Sequence, residues 1–262
     1  MQNVEELQQY VDSLTKELVL SSQTVVAAPG CLPAPCFPEI IMKVLGVVTE
    51  HEWEDLTDRA RNYLKWITVK AEAIDELAPR PMHTTTRCFE LLAIDRDGNS
   101  FGEIVERSQE LGIPSVLVRF ASLIATFLTV RLLRQQMERD REVMPSLTFS
   151  QNVDANYLNY PRTLKTLLEL FPEYKEMFYF EINEEITEDY LTTIRALADD
   201  LGIRLALDDT NKMNINVHHQ LLDLADWIKI DFEATANLEQ QLLSGYGEKI
   251  ILHFEEYAHG AR

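Results

Sequence analysis

The chain has 262 residues, of which 46% are hydrophobic, and this is enough to bury one large core, most simply as one domain with an appendage. Its 43 acidic residues against 24 basic ones give a formal charge of -19, and so acidic a surface repels phosphate backbones, which argues against general nucleic-acid binding. The sequence predicts no membrane span and no signal peptide, and its 3 cysteines form no pattern of zinc-binding pairs, so we expect a protein of the reducing cytoplasm.

Residues 1–80 are predicted to form a helical N-terminal segment. A short amphipathic helix is expected over 3–20, another near 38–46 and a longer one over 52–77, followed by a linker at 79–87. The long helix contains no cluster of chemically active residues, so its apolar face predicts packing, dimerisation or contact with another protein. That face consists of Trp53, Leu56, Ala60, Leu64, Ile67, Ala71 and Ile74.

The remaining residues, 81–262, alternate apolar runs with helical segments. Continuous apolar runs of this kind are typical of buried parallel strands in right-handed βα units. Strands are predicted over 88–94, 146–150, 177–182, 203–208, 227–231 and 249–253. Helices are predicted over 101–112, 115–141, 160–170, 187–201, 216–225 and 235–244. We therefore predict an α/β fold of the βα-barrel class, although a closed TIM barrel requires eight strands and only six are found.

Charged side chains follow several of these apolar runs. Glu181 follows Phe-Tyr-Phe, the pair Asp208 and Asp209 follows Arg-Leu-Ala-Leu, and Lys229 and Asp231 flank an isoleucine. In a βα barrel the C-terminal ends of the strands form the active face, and carboxylates gathered there are the ligands that a divalent-metal hydrolase needs. The alternative for each carboxylate is an exposed acid at a strand end or the N-cap of the next helix.

Residues 88–256 resemble the EAL-domain phosphodiesterases of bacterial signalling, which hydrolyse cyclic di-GMP. The likeness is carried by short segments in the family's own order. Residues 89–92, Phe-Glu-Leu-Leu, stand where the family has Glu-Ala-Leu-Leu, and residues 147–150 stand where a strand normally ends in Asn. Residues 180–184 are similar to the Glu-Leu-Thr-Glu strand, 201–209 to the Asp-Asp strand and 227–231 to the Lys-Ile-Asp strand. The resemblance implies a TIM-like barrel of EAL type.

The resemblance also implies a role for each matched residue. Glu90, Glu181 and Asp208 would bind Mg²⁺ or Mn²⁺, and Asp209 would bridge to a second metal ion. Lys229 would orient or polarise the attacking water, so that Glu90, Asp209 and Lys229 form the implied catalytic group. The residues assigned to substrate binding on the same basis are Leu92, Asn152 and Asp231.

Several positions depart from the family's pattern. Ser150 replaces a metal-binding Asn, and Asn152 follows on the same strand face, which we expect to be one layer too far along for the metal. Ile94 replaces the Arg that grips a substrate phosphate, and residues 210–213 lack the glycines of the loop after Asp-Asp. His253 stands where a Glu is expected, and a His is not a preferred ligand of a hard cation. These changes predict an eroded site.

Residues 4–45 run in the order of the family's last elements, which are a helix, a short strand, a Pro-rich loop and a helix. This order predicts a circular permutation, in which the N-terminus supplies the missing eighth strand. The alternative is an unrelated helical appendage on an incomplete barrel.

The eroded site favours a degenerate, non-catalytic regulator that acts through a protein partner or through cyclic di-GMP binding. One alternative is an active, metal-dependent phosphodiesterase that hydrolyses cyclic di-GMP to linear pGpG. Another is an unrelated βα-barrel metal hydrolase. Mg²⁺ or Mn²⁺ would be the cofactor of a working site. We expect neither a nucleic acid nor a membrane as partner, and the choice between monomer and homodimer stays open.

Overall fold

The fold is that of a βα barrel with additional helices. The computed structural model of the protein describes residues 46–76, 87–140, 147–153, 159–171, 177–182, 188–208, 219–231 and 250–253, together with Gln9, Asp12 and Tyr157. Its helices are α1 (Glu50–Asp55), α2 (Asp58–Leu64), α3 (Phe101–Glu110), α4 (Ser115–Asp140), α5 (Pro161–Leu170), α6 (Glu188–Leu201) and α7 (His219–Leu224). Its strands are β1 (Thr68–Glu76), β2 (Arg87–Ile94), β3 (Leu147–Asn152), β4 (Phe178–Ile182), β5 (Arg204–Leu207), β6 (Trp227–Asp231) and β7 (Ile250–His253).

The strands close into a barrel in chain order, from β1 to β7. Strands β2 to β7 are parallel neighbours, whereas β1 runs antiparallel to β7, with Ile74 opposite His253. The predicted βα barrel is therefore confirmed, and each of the six predicted strands is present within about two residues of its predicted ends. The structure also contains β1, a strand that the sequence did not predict.

The extra strand corrects the predicted helix over 52–77. Helix α1 ends at Asp55, α2 ends at Leu64, and the residues from Thr68 to Glu76 form β1. Residues 66–69, Trp-Ile-Thr-Val, are aromatic or β-branched and favour a strand, and this preference outweighs the helical spacing of the apolar residues around them. The barrel consequently begins before residue 81, the predicted start of the barrel domain.

The other predicted elements fall into two groups. Helices α3 to α7 lie within the predicted helical stretches, and a turn follows β2, where Gly98 has a φ of 84° that residues with a side chain rarely adopt. The helix predicted over 235–244 and the permuted segment over 4–45 lie outside the described residues, except that Gln9 and Asp12 are helical.

The described chain divides into two compact units, and the first is built around α4. This unit comprises the residues up to Ala71, Leu91–Met144 and Asn156–Tyr174. Helix α4 is buried along most of its middle, where Phe127 packs on Phe171 with ring centroids 5.4 Å apart. Arg131 of the same helix donates to the carbonyl oxygen of Leu170 at 2.7 Å. No helix in the part of the chain that the structure describes is long and apolar enough to cross a membrane.

The second unit comprises Glu72–Glu90, Pro145–Ala155 and Lys175–Arg262, and it contains most of the strands. Side chains alternate between the two faces of the sheet. Phe89, Phe149 and Phe178 are opposite one another in register and stack on one face, with ring centroids 6.2 and 5.5 Å apart. The next residues along β2 and β3, Glu90 and Ser150, lie on the opposite face, which is the interior of the barrel.

Candidate functional site

Four charged side chains meet at the C-terminal ends of the parallel strands. Glu90 lies in β2, Glu181 in β4 and Lys229 in β6, while Asp208 directly follows β5. Parallel strands place their carboxyl ends at one edge of the sheet, so residues far apart in the sequence come together there. All four residues belong to the second compact unit. The structure thus brings together the matched residues of the Glu-Leu-Leu, Glu-Ile, Asp-Asp and Lys-Ile-Asp segments.

Lys229 is the centre of this cluster. Its Nζ donates to Oε2 of Glu90 at 2.5 Å and to Oε2 of Glu181 at 3.2 Å, and it lies 3.4 Å from Oδ1 of Asp208. The lysine is only 2% exposed and Glu181 only 1%, whereas Asp208 is half-buried. One ammonium group therefore contacts three carboxyl groups in a nearly water-free environment.

Burial and charge shift the protonation of this cluster. Burial, with a smaller contribution from the neighbouring Glu90 and Asp208, raises the pKa of Glu181 to about 8, against the attraction of Lys229. Burial works against the charged form of Lys229, but the three carboxyl groups outweigh this and raise the pKa of the lysine above its usual value. The surroundings therefore favour the charged form of Lys229 and the neutral form of Glu181.

The carboxyl groups can also hold a divalent cation. Oxygen atoms of Glu90, Glu181 and Asp208 lie within 4.8 Å of one another, and hard cations such as Mg²⁺ and Mn²⁺ prefer such ligands. Oε1 of Glu181 is buried and has no hydrogen-bond partner within the described residues, so it is an acceptor that a cation would satisfy. The residues present fit a metal ion, which would activate water as a Lewis acid when bound.

The two polar residues of β3 differ in how they meet this cluster. Ser150 is fully buried beside Glu181, and its hydroxyl lowers the pKa of that carboxyl group although it makes no hydrogen bond of normal geometry within the described residues. Asn152 is exposed, and its Nδ2 donates to Oε1 of Glu90 at 2.9 Å. In register Ser150 is opposite Glu90 and Asn152 is two residues further along, although the side chain of Asn152 reaches back to the carboxylate of β2. The expectation that Asn152 lies too far along to bind the metal stays a prediction.

For the remaining predicted site residues the structure gives the strand position, and for some of them the burial. Leu92 and Ile94 are half-buried and lie on the same face of β2 as Glu90. Asp231 and His253 end β6 and β7 and are opposite each other in register. Asp209 and residues 210–213 lie outside the described residues, so the predicted second metal ion stays a prediction.

Sequence analysis missed an aromatic layer beneath the cluster. Tyr179 and Trp227 stack with ring centroids 3.6 Å apart, and the guanidinium of Arg204 lies 4.1 Å from the centre of the Tyr179 ring. Tyr179 precedes Glu181 by two residues, and Trp227 precedes Lys229 by two, so each aromatic residue shares a strand face with a charged one. The two-residue spacing between each aromatic residue and the charged residue after it could have indicated this layer from the sequence.

Most of the predicted protein-contact face is buried in the fold, although Ala71 is exposed. Trp53, Leu56, Ala60, Leu64 and Ile67 are each less than a tenth exposed, so this face packs within the chain itself. The large hydrophobic residue that is exposed among those described is Trp66, at 48%, with the guanidinium of Arg96 over its ring at 4.9 Å. The apolar spacing therefore indicated core packing rather than a contact surface.

The chain is similar to solved structures that contain an EAL domain. The FimX EAL domain from Pseudomonas aeruginosa, bound to c-di-GMP, matches with a TM-score of 0.48 and 15% identity, over 71% of this chain and 78% of that one. YkuI of Bacillus subtilis, in complex with c-di-GMP and calcium, matches with a TM-score of 0.42 and 24% identity, over 66% of this chain and 42% of that one. An EAL domain protein from Listeria monocytogenes EGD-e gives 0.45 and 17%, over 74% of each chain. No protein-family model and no curated protein sequence matches the chain.

Proposed function

We propose that the chain is a degenerate EAL-like domain of cyclic di-GMP signalling, which binds the nucleotide or a protein partner without turning the nucleotide over. The observation that carries this proposal is the position of Lys229, whose ammonium contacts the carboxyl groups of Glu90, Glu181 and Asp208. The cluster satisfies much of its charge internally.

The residues around the cluster also favour binding without hydrolysis. A half-buried Ile94 on the face of β2 that carries Glu90 offers no positive charge to a phosphate, and Ser150 offers a short hydroxyl in place of an amide. Removing one electrostatic contact to a transition state typically costs about 2.7–4 kcal/mol. Two such losses would reduce the rate by several orders of magnitude.

Cyclic di-GMP is a dianion, and the cluster holds more acidic than basic groups. A dinucleotide with two phosphates would therefore bind weakly unless a divalent cation neutralised part of this charge. Mg²⁺ or Mn²⁺ bound by Glu90, Glu181 and Asp208 would supply that charge. We expect nucleotide affinity to depend strongly on the metal ion.

The decisive experiment is an incubation of the purified full chain with cyclic di-GMP and either Mg²⁺ or Mn²⁺, with the linear dinucleotide measured by chromatography. An active EAL phosphodiesterase serves as the positive control. We expect no product above the level given by Glu90→Ala. Calorimetry on the same samples should give measurable nucleotide binding only when metal is present. Tight binding without metal would contradict the electrostatic part of the proposal.

A working phosphodiesterase is the second candidate. It is favoured by the convergence of Glu90, Glu181, Asp208 and Lys229 on one site, which a catalytic centre of this kind would require. In that case the incubation would yield linear pGpG, and Glu90→Ala would abolish the product. That result would replace the non-catalytic proposal with the catalytic one.

If neither hydrolysis nor nucleotide binding is observed, binding of a protein partner is the function that remains from this proposal. The face formed by Trp53, Leu64 and their apolar neighbours cannot provide that contact without unfolding, because it is buried. A partner would have to use other surfaces of the chain.

A further inference from the structure

The groups that could bind a divalent cation are the same groups that hold Lys229. Glu90, Glu181 and Asp208 supply the oxygen atoms of the candidate metal site, and each of them also lies within 3.4 Å of the ammonium nitrogen. The ammonium and a metal ion would therefore compete for one set of ligands. Two cations held by the same carboxylates in a buried site would repel each other strongly.

The lysine is built into the site rather than resting on its surface. Nζ makes its shortest contact to the buried Glu90, and Asn152 donates to the other oxygen of the same carboxylate. Glu90 therefore points both of its oxygens at hydrogen-bond donors of the chain. Lys229 is 2% exposed and hydrogen-bonded, so its ammonium is a permanent ion-pair partner of the carboxylates in the folded protein.

The contacts also indicate how the ammonium could leave. Its longest contact, 3.4 Å, is to Asp208, which is the least buried of the three carboxylates. Lysine carries its charge on a flexible four-carbon stem, so the ammonium can move without a change in the backbone of β6. A cation entering past Asp208 would meet the loosest of these contacts first.

We propose that Lys229 is the internal counter-ion of this site, and that a divalent cation binds only by displacing its ammonium from Glu90, Glu181 and Asp208. This inference rests on the metal-binding part of the proposed function. The lysine thereby sets the metal concentration at which the site fills. In the metal-free protein it also prevents mutual repulsion of the carboxylates, and so stabilises the barrel.

The test uses Mn²⁺ alone, without nucleotide, and follows its binding by electron paramagnetic resonance of the free ion. Lys229→Met removes the charge and keeps the length of the side chain. We expect the variant to bind Mn²⁺ at least tenfold more tightly than the wild type. Its midpoint of thermal unfolding should be lower than that of the wild type without metal, and should rise further when Mn²⁺ is added. Lys165→Met, at an exposed position of α5, is the matched control and should leave Mn²⁺ affinity unchanged.

A folded Lys229→Met protein that binds Mn²⁺ no more tightly than the wild type would overturn the proposal. If the variant does not fold, the wild type provides the test through selective ¹⁵N labelling of its lysine ammonium groups. A buried, hydrogen-bonded ammonium gives its own resonance, which should shift or disappear as diamagnetic Mg²⁺ saturates the site. An unchanged Lys229 resonance, together with thermal stabilisation by Mg²⁺, would contradict displacement. Because no nucleotide is present, these results are independent of the hydrolysis assay.

Discussion

Asn152 on β3 donates its amide to Glu90 on β2 at 2.9 Å, although the residue of β3 opposite Glu90 in register is Ser150. The backbone of Asn152 instead pairs with Glu181 on β4. The side chain of Asn152 therefore bonds to Glu90, whereas its backbone is opposite Glu181. The hydrogen bond fixes one oxygen of Glu90 while Lys229 holds the other.

Replacing Asn152 with Ala should lower the free energy of unfolding by about 1 kcal/mol, because the buried carboxylate of Glu90 loses a hydrogen bond from an exposed side chain. Urea unfolding of the metal-free protein measures this change. Asn159→Ala, also at an exposed position, is the control and should be close to neutral. Equal effects of the two substitutions would mean that the bond to Glu90 contributes nothing to stability.

Replacing Ser150 with Ala should leave stability unchanged or raise it by up to about 1 kcal/mol. The hydroxyl of Ser150 is buried without a hydrogen bond of normal geometry among the described residues, so its removal abolishes a desolvation cost and only a weak contact to Glu181. Ser108 is the matched control, since it is equally buried but donates to the carbonyl oxygen of Val105 at 2.7 Å. Ser108→Ala should cost about 1 kcal/mol. A comparable loss for Ser150→Ala would show that its hydroxyl has a partner.

The barrel itself could be predicted from the sequence because its signal is local and redundant. Strand β4 is buried along its whole length, and its five residues are correspondingly apolar up to the charged position that enters the site. Apolar runs of this kind, separated by helical segments, leave few arrangements other than parallel strands with helical crossovers. Strand β1 escaped prediction because it is antiparallel to β7, so the alternation of parallel strands and helices does not extend to it.

The site was less predictable, because the contacts that define it join distant parts of the chain. The approach of Lys229 to Glu90 spans 139 residues and depends on the register of every strand between them. Strand periodicity indicates that Ser150 and Asn152 share a face, but which of them reaches Glu90 depends on the direction of a side chain. Residue identity alone could not show that Lys229 contacts all three carboxylates at once.

The pair formed by Lys229 and Glu90 should be strongly coupled in a double-mutant cycle. We expect Glu90→Gln and Lys229→Met to give a coupling energy of about 1–3 kcal/mol in urea unfolding, because both groups are buried. The exposed pair Arg107 and Glu110 provides the comparison and should give about 0.5 kcal/mol or less. Similar values for the two cycles would mean that the buried contact is no stronger than a solvated one.

The stability of the metal-free protein should fall as the pH rises toward 8, because of Glu181. The folded protein raises the pKa of Glu181 to about 8, whereas an unfolded glutamate keeps a value near 4.5. Between these values the folded state binds more protons than the unfolded state. The stabilising contribution of the bound proton is therefore fully present below pH 4.5 and is lost as the pH rises through about 8.

Urea unfolding at several values between pH 5 and pH 8 tests this dependence. A difference of one bound proton changes the free energy of unfolding by about 1.4 kcal/mol per pH unit, so the decline should be readily measured. Glu181→Gln imitates the protonated carboxyl group and should flatten the profile, whereas Glu110→Gln, at an exposed position, should not. Saturating Mg²⁺ should oppose the decline in the wild type, because a metal ion binds the ionised carboxylate and releases its proton. Parallel profiles for the wild type and Glu181→Gln would show that the titrating group lies elsewhere.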